Sequence, residues 1–326
     1  MANNAYPHKE QVKPMSDSRP PAIFLMGPTA AGKTDAAIAL HERLGCEIIS
    51  VDSAMVYRGL DIGSAKPGAD ELARAPHRLI DIRDPADPYS AADFRQDALE
   101  QMREITARGK TPLLTGGTML YYKQLLDGVA NLPASNPATR ERLQAEQARD
   151  GLAALHRRLA EVDAVSAQRI HPNDPQRILR ALEVFEASGR TLTELWAEQQ
   201  SETFPWQVLS IALAPERRDV LHARIARRFA AMLDEGLIDE VAALKKRSDL
   251  TADLPSMKSV GYRQVWAYLD GEYDRQTLLE RGVIATRQLA KRQLTWLRRW
   301  NALHWVDTLS PRALDNVLML VEKSRL

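Results

Sequence analysis

Residues 22–44 read AIFLMGPTAAGKTDAAIALHERL, and this stretch decides the fold. The apolar run Ala22–Met26 ends in Gly27, and an amphipathic stretch follows from Gly32 to Leu44. A short apolar run closed by glycine has the pattern of a buried strand, and the spacing beyond it is helical. Between them, Gly27-Pro28-Thr29-Ala30-Ala31-Gly32-Lys33-Thr34 fits G-x-x-x-x-G-K-[ST], in the strand–turn–helix context that a phosphate-binding loop (P-loop) requires. The glycines let the backbone curl so that its N–H groups point inward. The helix N-terminus adds positive potential, Lys33 caps the terminal phosphate, and Thr34 offers Mg²⁺ a hydroxyl. The loop specifies a diphosphate and leaves open which molecule carries it.

Working outward, the same alternation continues. Glu47–Val51 (EIISV) reads as a second strand ending at Asp52, and Arg78–Ile82 as a third. Ala91–Arg108 has helical spacing, with Phe94, Ala98, Met102 and Ile105 on one face. Thr111–Leu114 is a fourth strand, closed by Thr115-Gly116-Gly117-Thr118. Strands alternating with helices predict an α/β fold, a P-loop NTPase-like parallel sheet flanked by helices. Ligands of such sheets sit at the carboxyl ends of the strands, where Gly27, Asp52 and Gly116 fall. From Pro133 to Trp196 the sequence is helical and rich in Arg, Glu and Gln, which predicts an all-helical insertion domain over 133–196. Gln207–Ala214 resumes the strand pattern, Ala302–Val306 is a last strand, and Pro311–Lys323 a last helix. The catalytic core is therefore expected over 21–132 and 197–326.

Composition narrows the class. The chain has 326 residues, enough for about two domains, and a formal net charge of +1. No apolar run approaches the roughly 20 residues of a membrane span. Residues 1–20 are polar, without the apolar segment of a secretory signal; they read as a disordered leader, with Met15 an alternative start. Cys46 has no partner cysteine, which fits a reducing cytoplasm and a small buried side chain. No segment demands an obligate protein partner, and monomer is the default. The charge is unevenly spread: between Asp274 and Arg299, seven Arg and Lys residues face two acids. A local basic stripe of this kind suits a polyanion; a solvated face is the plain alternative.

Two positions carry further chemistry. A P-loop nucleotide hydrolase usually has an acid on a later strand to hold its metal, yet Pro112-Leu113-Leu114-Thr115-Gly116-Gly117 has none. Asp52 supplies an acid from the neighbouring strand instead. General base, metal ligand through water and turn-capping Asp are all open to it.

Segments after the P-loop add a resemblance. Asp52–Pro67 (DSAMVYRGLDIGSAKP), residues 76–81 (PHRLID), Thr115–Tyr121 (TGGTMLY), Asp174–Val184 (DPQRILRALEV), Ser259–Gln264 (SVGYRQ) and Thr286–Arg298 (TRQLAKRQLTWLR) follow in order. Together they resemble the tRNA dimethylallyltransferase (IPP transferase) family of bacteria, from about Ala22 to Trp305. Ser64 stands where that family often has Thr, and Arg78 where it often has His; no Cys/His zinc extension like that of eukaryotic relatives is present.

The resemblance implies transfer of a dimethylallyl group from dimethylallyl diphosphate to N6 of the adenosine just 3′ of the anticodon in tRNA. The P-loop would then hold the donor's diphosphate, with Lys33, Mg²⁺ on Thr34 and Arg263 stabilising the leaving group. A buried partner for a carboxylate is the other reading of Arg263. Asp52 matches the family's proposed base, and Thr118 would position the adenine or the donor, or simply cap the next helix. Implied tRNA contacts are Asp52, Ser53, Ala54, Met55, Thr118, Arg140, Gln176, Arg177, Ile178, Leu179, Arg180, Gly261, Tyr262, Arg263, Gln264, Arg287 and Lys291. The helical insertion would grip the anticodon stem-loop, with Arg140 at its entrance. On the segment around Gln176, Arg177 and Arg180 share a face, and Ile178, Leu182 and Phe185 form the core-facing stripe. Trp296 and Trp300 read as core rather than stacking platforms. Three other readings stay open: a prenyltransferase of free AMP or ADP, a P-loop small-molecule kinase, and a non-catalytic RNA-binding module with a vestigial P-loop.

Overall fold

The computed structural model describes residues 19–128, 130, 132–134, 136–198 and 203–324. The leader expected over 1–20 lies almost wholly outside the described residues, as does Met15. Two compact units emerge. One comprises the described chain up to Tyr89, Asp97–Met119 and Phe204 onwards; the other comprises Ser90–Gln96 and Leu120–Thr203.

The first unit is built on six strands. β1 (Pro21–Met26) leads into α1 (Lys33–Leu44) and β2 (Glu47–Val51); α2 (Ala69–Arg74) precedes β3 (His77–Arg78). Helix α3 (Ala91–Ala107) is followed by β4 (Pro112–Gly116) and α4 (Met119–Asp127). The second unit contributes α5 (Pro137–Asp150), α6 (Leu152–Val162), α7 (Ala164–Arg169), α8 (Pro175–Ser188) and α9 (Leu192–Ala197). The chain then returns through β5 (Gln207–Ala214), α10 (Arg218–Asp234), α11 (Leu237–Lys245), α12 (Tyr262–Leu269), α13 (Arg275–Leu297), β6 (Leu303–Asp307) and α14 (Ala313–Lys323).

The sheet is parallel throughout, in the order β3-β2-β4-β1-β5-β6. β1 lies inside it, and Ala22–Met26 are fully buried, as expected of a parallel strand covered on both faces. Ile23, Leu25, Ile48, Leu113 and Ile211 pack with Ala37 and Leu40 of α1 and Val317 and Val321 of α14 into one core. The third strand is shorter than its apolar run suggests. Leu79 (φ 63°) and Asp81 (φ 57°) take left-handed backbone, which cannot continue a strand, so β3 stops at Arg78 and the chain returns only through a bridge between Tyr57 and Arg83.

The helical unit has its own core of Leu143, Leu155, Leu159, Ile178, Leu182 and Leu192. Two of its helices start the same way. Asn136 before Pro137 and Asp174 before Pro175 each accept backbone N–H bonds from the first turn, pairing an Asx cap with a proline whose missing N–H costs nothing there.

Candidate functional site

The P-loop leaves β1 at Gly27, where a side chain is impossible: a Cβ there would lie 2.4 Å from the Leu213 carbonyl oxygen of β5. At the other end Gly32 adopts φ 82° and opens α1, the left-handed turn that glycine makes without cost. Gly27, Pro28 and Ala31 are buried, Thr29, Ala30, Lys33 and Thr34 are half-buried, and Gly32 is exposed. The Lys33 ammonium donates to the Pro28 carbonyl at 2.8 Å. Burial pushes its pKa down to about 8, the Arg228 charge pushes the same way, and Asp52 opposes them.

Asp52 sits at the end of β2 with its carboxylate half-committed. Oδ1 accepts from the backbone N–H groups of Ala54 (2.8 Å) and Met55 (3.2 Å). That is the turn-capping role, and it fixes the carboxyl plane while Oδ2 makes no hydrogen bond within the described structure. Thr118, after β4, joins the same end: its N–H donates to the Val51 carbonyl and its hydroxyl accepts from the Ser53 N–H at 3.2 Å. The ends of β1, β2 and β4 therefore bring together the P-loop, Asp52, Ser53 and Thr118. No acid stands at the end of β4.

Two arginines bear on the cation expected at this site. Arg263 is exposed on α12, and its charge acts on Tyr273. The half-buried Arg228 of α10 is the guanidinium whose field reaches both Lys33 and Asp52. Sequence reading missed it, although a signal exists. Leu221, Ile225, Phe229 and Leu233, spaced by four, form the buried stripe of α10; that spacing puts Arg228 at its border and Arg227 opposite.

Several of the implied RNA contacts have buried side chains. Ile178 and Leu179 are buried in the helical unit, so packing occupies their side chains. Tyr262 is fully buried and donates to Glu240 at 2.6 Å, while the buried Gln264 accepts from the Gly261 N–H, closing the start of α12. Arg180 is braced, donating to the Pro133 carbonyl at 2.7 Å and to Glu183, which is 1% exposed. Gln176 and Arg177 stay exposed, and Arg140 is half-buried. On α13, Lys291 is exposed; Arg287 is half-buried, and its Nε is enclosed without a hydrogen-bond partner. The tryptophan expectation fails for Trp296, which is 39% exposed, one turn after Arg292 on the same helix.

For Mg²⁺ the donor set is of the right kind. No cluster of three or more His, Cys, Asp or Glu exists among the described residues. Thr34 and Asp52 offer hard oxygens, which suits an ion that takes few protein ligands and otherwise keeps water and substrate phosphates. No helix among the described residues is long and apolar enough to cross a membrane.

Comparison with known proteins points in one direction. The sequence pattern of the family described as IPP transferase matches residues 55–300. A protein of Chromohalobacter salexigens named tRNA dimethylallyltransferase is 64% identical over 310 residues, 95% of this chain and 99% of that one. The crystal structure of a tRNA isopentenylpyrophosphate transferase from Bacillus halodurans is 35% identical, with a TM-score of 0.66, covering 94% of this chain and 98% of that one. A eukaryotic dimethylallyltransferase captured acting on tRNA is 25% identical, with a TM-score of 0.78, covering 93% and 78% respectively.

Proposed function

Because the chain belongs to the IPP transferase family, we propose that it transfers a dimethylallyl group from dimethylallyl diphosphate to N6 of the adenosine 3′ of the anticodon in tRNA. Diphosphate is released. The observation that carries this reading is the pairing of a complete P-loop with Asp52, the carboxylate whose field reaches Lys33, at strand ends where β4 supplies no acid.

The P-loop N–H groups and Lys33 hold the donor's diphosphate, and Arg228 adds a second positive charge. The bond from C1 of the donor to the diphosphate oxygen breaks, and its electron pair leaves with the diphosphate. The adenine nitrogen forms the new bond to C1. Its lone pair is delocalised into the ring, so it becomes a usable nucleophile only as it loses a proton, and Oδ2 of Asp52 takes that proton. A positioned base of this kind contributes about 10²–10⁴-fold. Thr118 holds Ser53 and hence the turn that aims Asp52. Thr34, with Asp52 beyond it, would hold Mg²⁺, which when bound offsets charge on the leaving diphosphate.

The acceptor base is stacked in the anticodon loop and must be turned out to reach a half-buried carboxylate at the strand ends. Gln176, Arg177 and Arg140 of the helical unit, and Lys291, Arg287, Arg292 and Trp296 of α13, are the side chains assigned to RNA. The exposed tryptophan supplies a stacking face that the basic stripe alone lacks. The chain works in the cytoplasm, where its tRNA substrate is found.

Incubating pure protein with labelled dimethylallyl diphosphate and either unmodified tRNA or AMP tests the proposal. Label in tRNA alone is expected. Label in AMP alone overturns it in favour of a free-nucleotide prenyltransferase, and phosphoryl transfer from ATP in favour of a kinase.

A further inference from the structure

Among the buried residues of α13 one is polar. Leu278, Gly282, Val283, Ala290 and Leu297 form the inward stripe, and Gln293 falls on it, 7% exposed. A buried amide must satisfy its donor and its acceptor, and both ends of Gln293 go to the candidate active site. Oε1 accepts from the Thr29 N–H of the P-loop at 2.9 Å, and Nε2 donates to the Gly117 carbonyl at 2.9 Å. Gly117 precedes Thr118, which holds the turn of Asp52. The fit leaves no slack: a Cβ on Gly117 would lie 2.3 Å from Nε2.

We infer that Gln293 is a positioning residue that clasps the P-loop to the β4–α4 turn, so that the donor's diphosphate and the Asp52–Thr118 pair keep one fixed spacing. The ladder between β1 and β4 pairs Met26 with Gly116 and ends there; beyond it Thr29 and Gly117 lie in separate loops, and the Gln293 amide joins them. Only a side chain carrying both a donor and an acceptor serves both partners. Glutamate does so only when protonated, and methionine, of similar shape, does neither. The clasp leaves Lys33 and the inward P-loop amides in place, so its loss strikes orientation more than binding.

The inference rests on the transferase reading, and the experiment separates the two. Transfer to tRNA and calorimetric binding of inorganic pyrophosphate are measured between pH 6 and 8 for wild type, Gln293→Met, Gln293→Glu and Gly117→Ala. Gln293→Met is expected to lose about 30-fold or more in kcat, the scale of an ångström-sized misplacement, while pyrophosphate binds within about tenfold of wild type. Gln293→Glu is expected to gain about tenfold relative to wild type on going from pH 8 to 6, as its carboxyl takes up the proton that lets it donate to Gly117 again. Gly117→Ala, which displaces the amide without changing it, is expected to match Gln293→Met and covers the case in which that variant does not fold. A Met or Ala variant within threefold of wild type, or a Glu variant whose ratio to wild type does not vary with pH, overturns the clasp. Wild type that binds pyrophosphate yet prenylates no tRNA overturns the functional reading instead, and with it the clasp as a device that positions donor against Asp52.

Discussion

The ends of β1, β2 and β4 and the first turns of α8 were both expected to carry function, and they used their residues differently. At the strand ends the side chains lie outside the ladder, and the backbone places them. Asp52 gives one oxygen to its own turn and keeps the other. On α8, three of the five residues from Gln176 to Arg180 are taken by the fold, Ile178 and Leu179 by packing and Arg180 by Glu183 and Pro133. A motif at a strand end specifies a position in space, whereas a polar run on a helix specifies only a composition.

The largest test of that contrast is at Asp52. Asp52→Asn keeps an oxygen that can accept from Ala54 and Met55, so the turn survives. Single-turnover transfer to tRNA is expected to fall about 10²–10⁴-fold, with tRNA binding unchanged; a loss under threefold would return Asp52 to a capping role.

On α8 the two arginines should separate. Arg180→Ala strips a charged partner from a buried carboxylate and is expected to cost about 1–3 kcal/mol of stability, read by denaturant unfolding. Arg177→Ala, whose side chain is exposed, is expected to leave stability within about 0.5 kcal/mol. It should weaken tRNA binding several-fold and flatten the slope of log affinity against log salt by about one. Equal behaviour of the two would erase the distinction between an arginine braced by a buried carboxylate and one exposed beside Asp174.

The pH dependence of pyrophosphate binding gives a smaller effect. Burial lowers the pKa of Lys33 to about 8, so affinity should fall as pH rises through about 8, because the neutral amine no longer attracts the diphosphate. Bound diphosphate stabilises the ammonium and moves that midpoint upward. The same shift bears on folding: charged Lys33 is disfavoured in the folded state, so its cost to stability is full below about 8 and lifts as pH climbs towards the unfolded value of 10.5. Affinity flat to pH 9.5 would show that the loop amides and Arg228 hold the diphosphate without it. Smallest of all, Trp296→Ala should reduce tRNA affinity about fivefold to tenfold, the worth of one stacked base, without altering donor KM.

Legibility in the sequence followed the same divide. An apolar run closed by a turn residue, Gly27 after β1, Asp52 after β2 and Pro215 after β5, marks both a strand and its end, so these three strands are legible to within a residue, and with them the P-loop and Asp52. The third strand was misplaced because Leu79 and Asp81 carry no glycine to signal their left-handed turns. Arg228 was hidden among Arg224 and Arg227 until the four-residue stripe of α10 was read as a burial pattern. Gln293 could have been found likewise, as a polar residue on the apolar stripe of α13. Trp296 was misjudged because an aromatic beside charges on a helix has no periodicity of its own.

The resting place of Lys33 bears on turnover. Its ammonium is hydrogen-bonded to the Pro28 carbonyl, so the cation proposed to hold diphosphate has an acceptor within its own loop. Product release often limits the rates of efficient enzymes, and an anion site lined only with bare charge would hold its product tightly. On the proposed function the loop itself competes for the lysine, which would ease the exit of diphosphate and ready the site for the next donor.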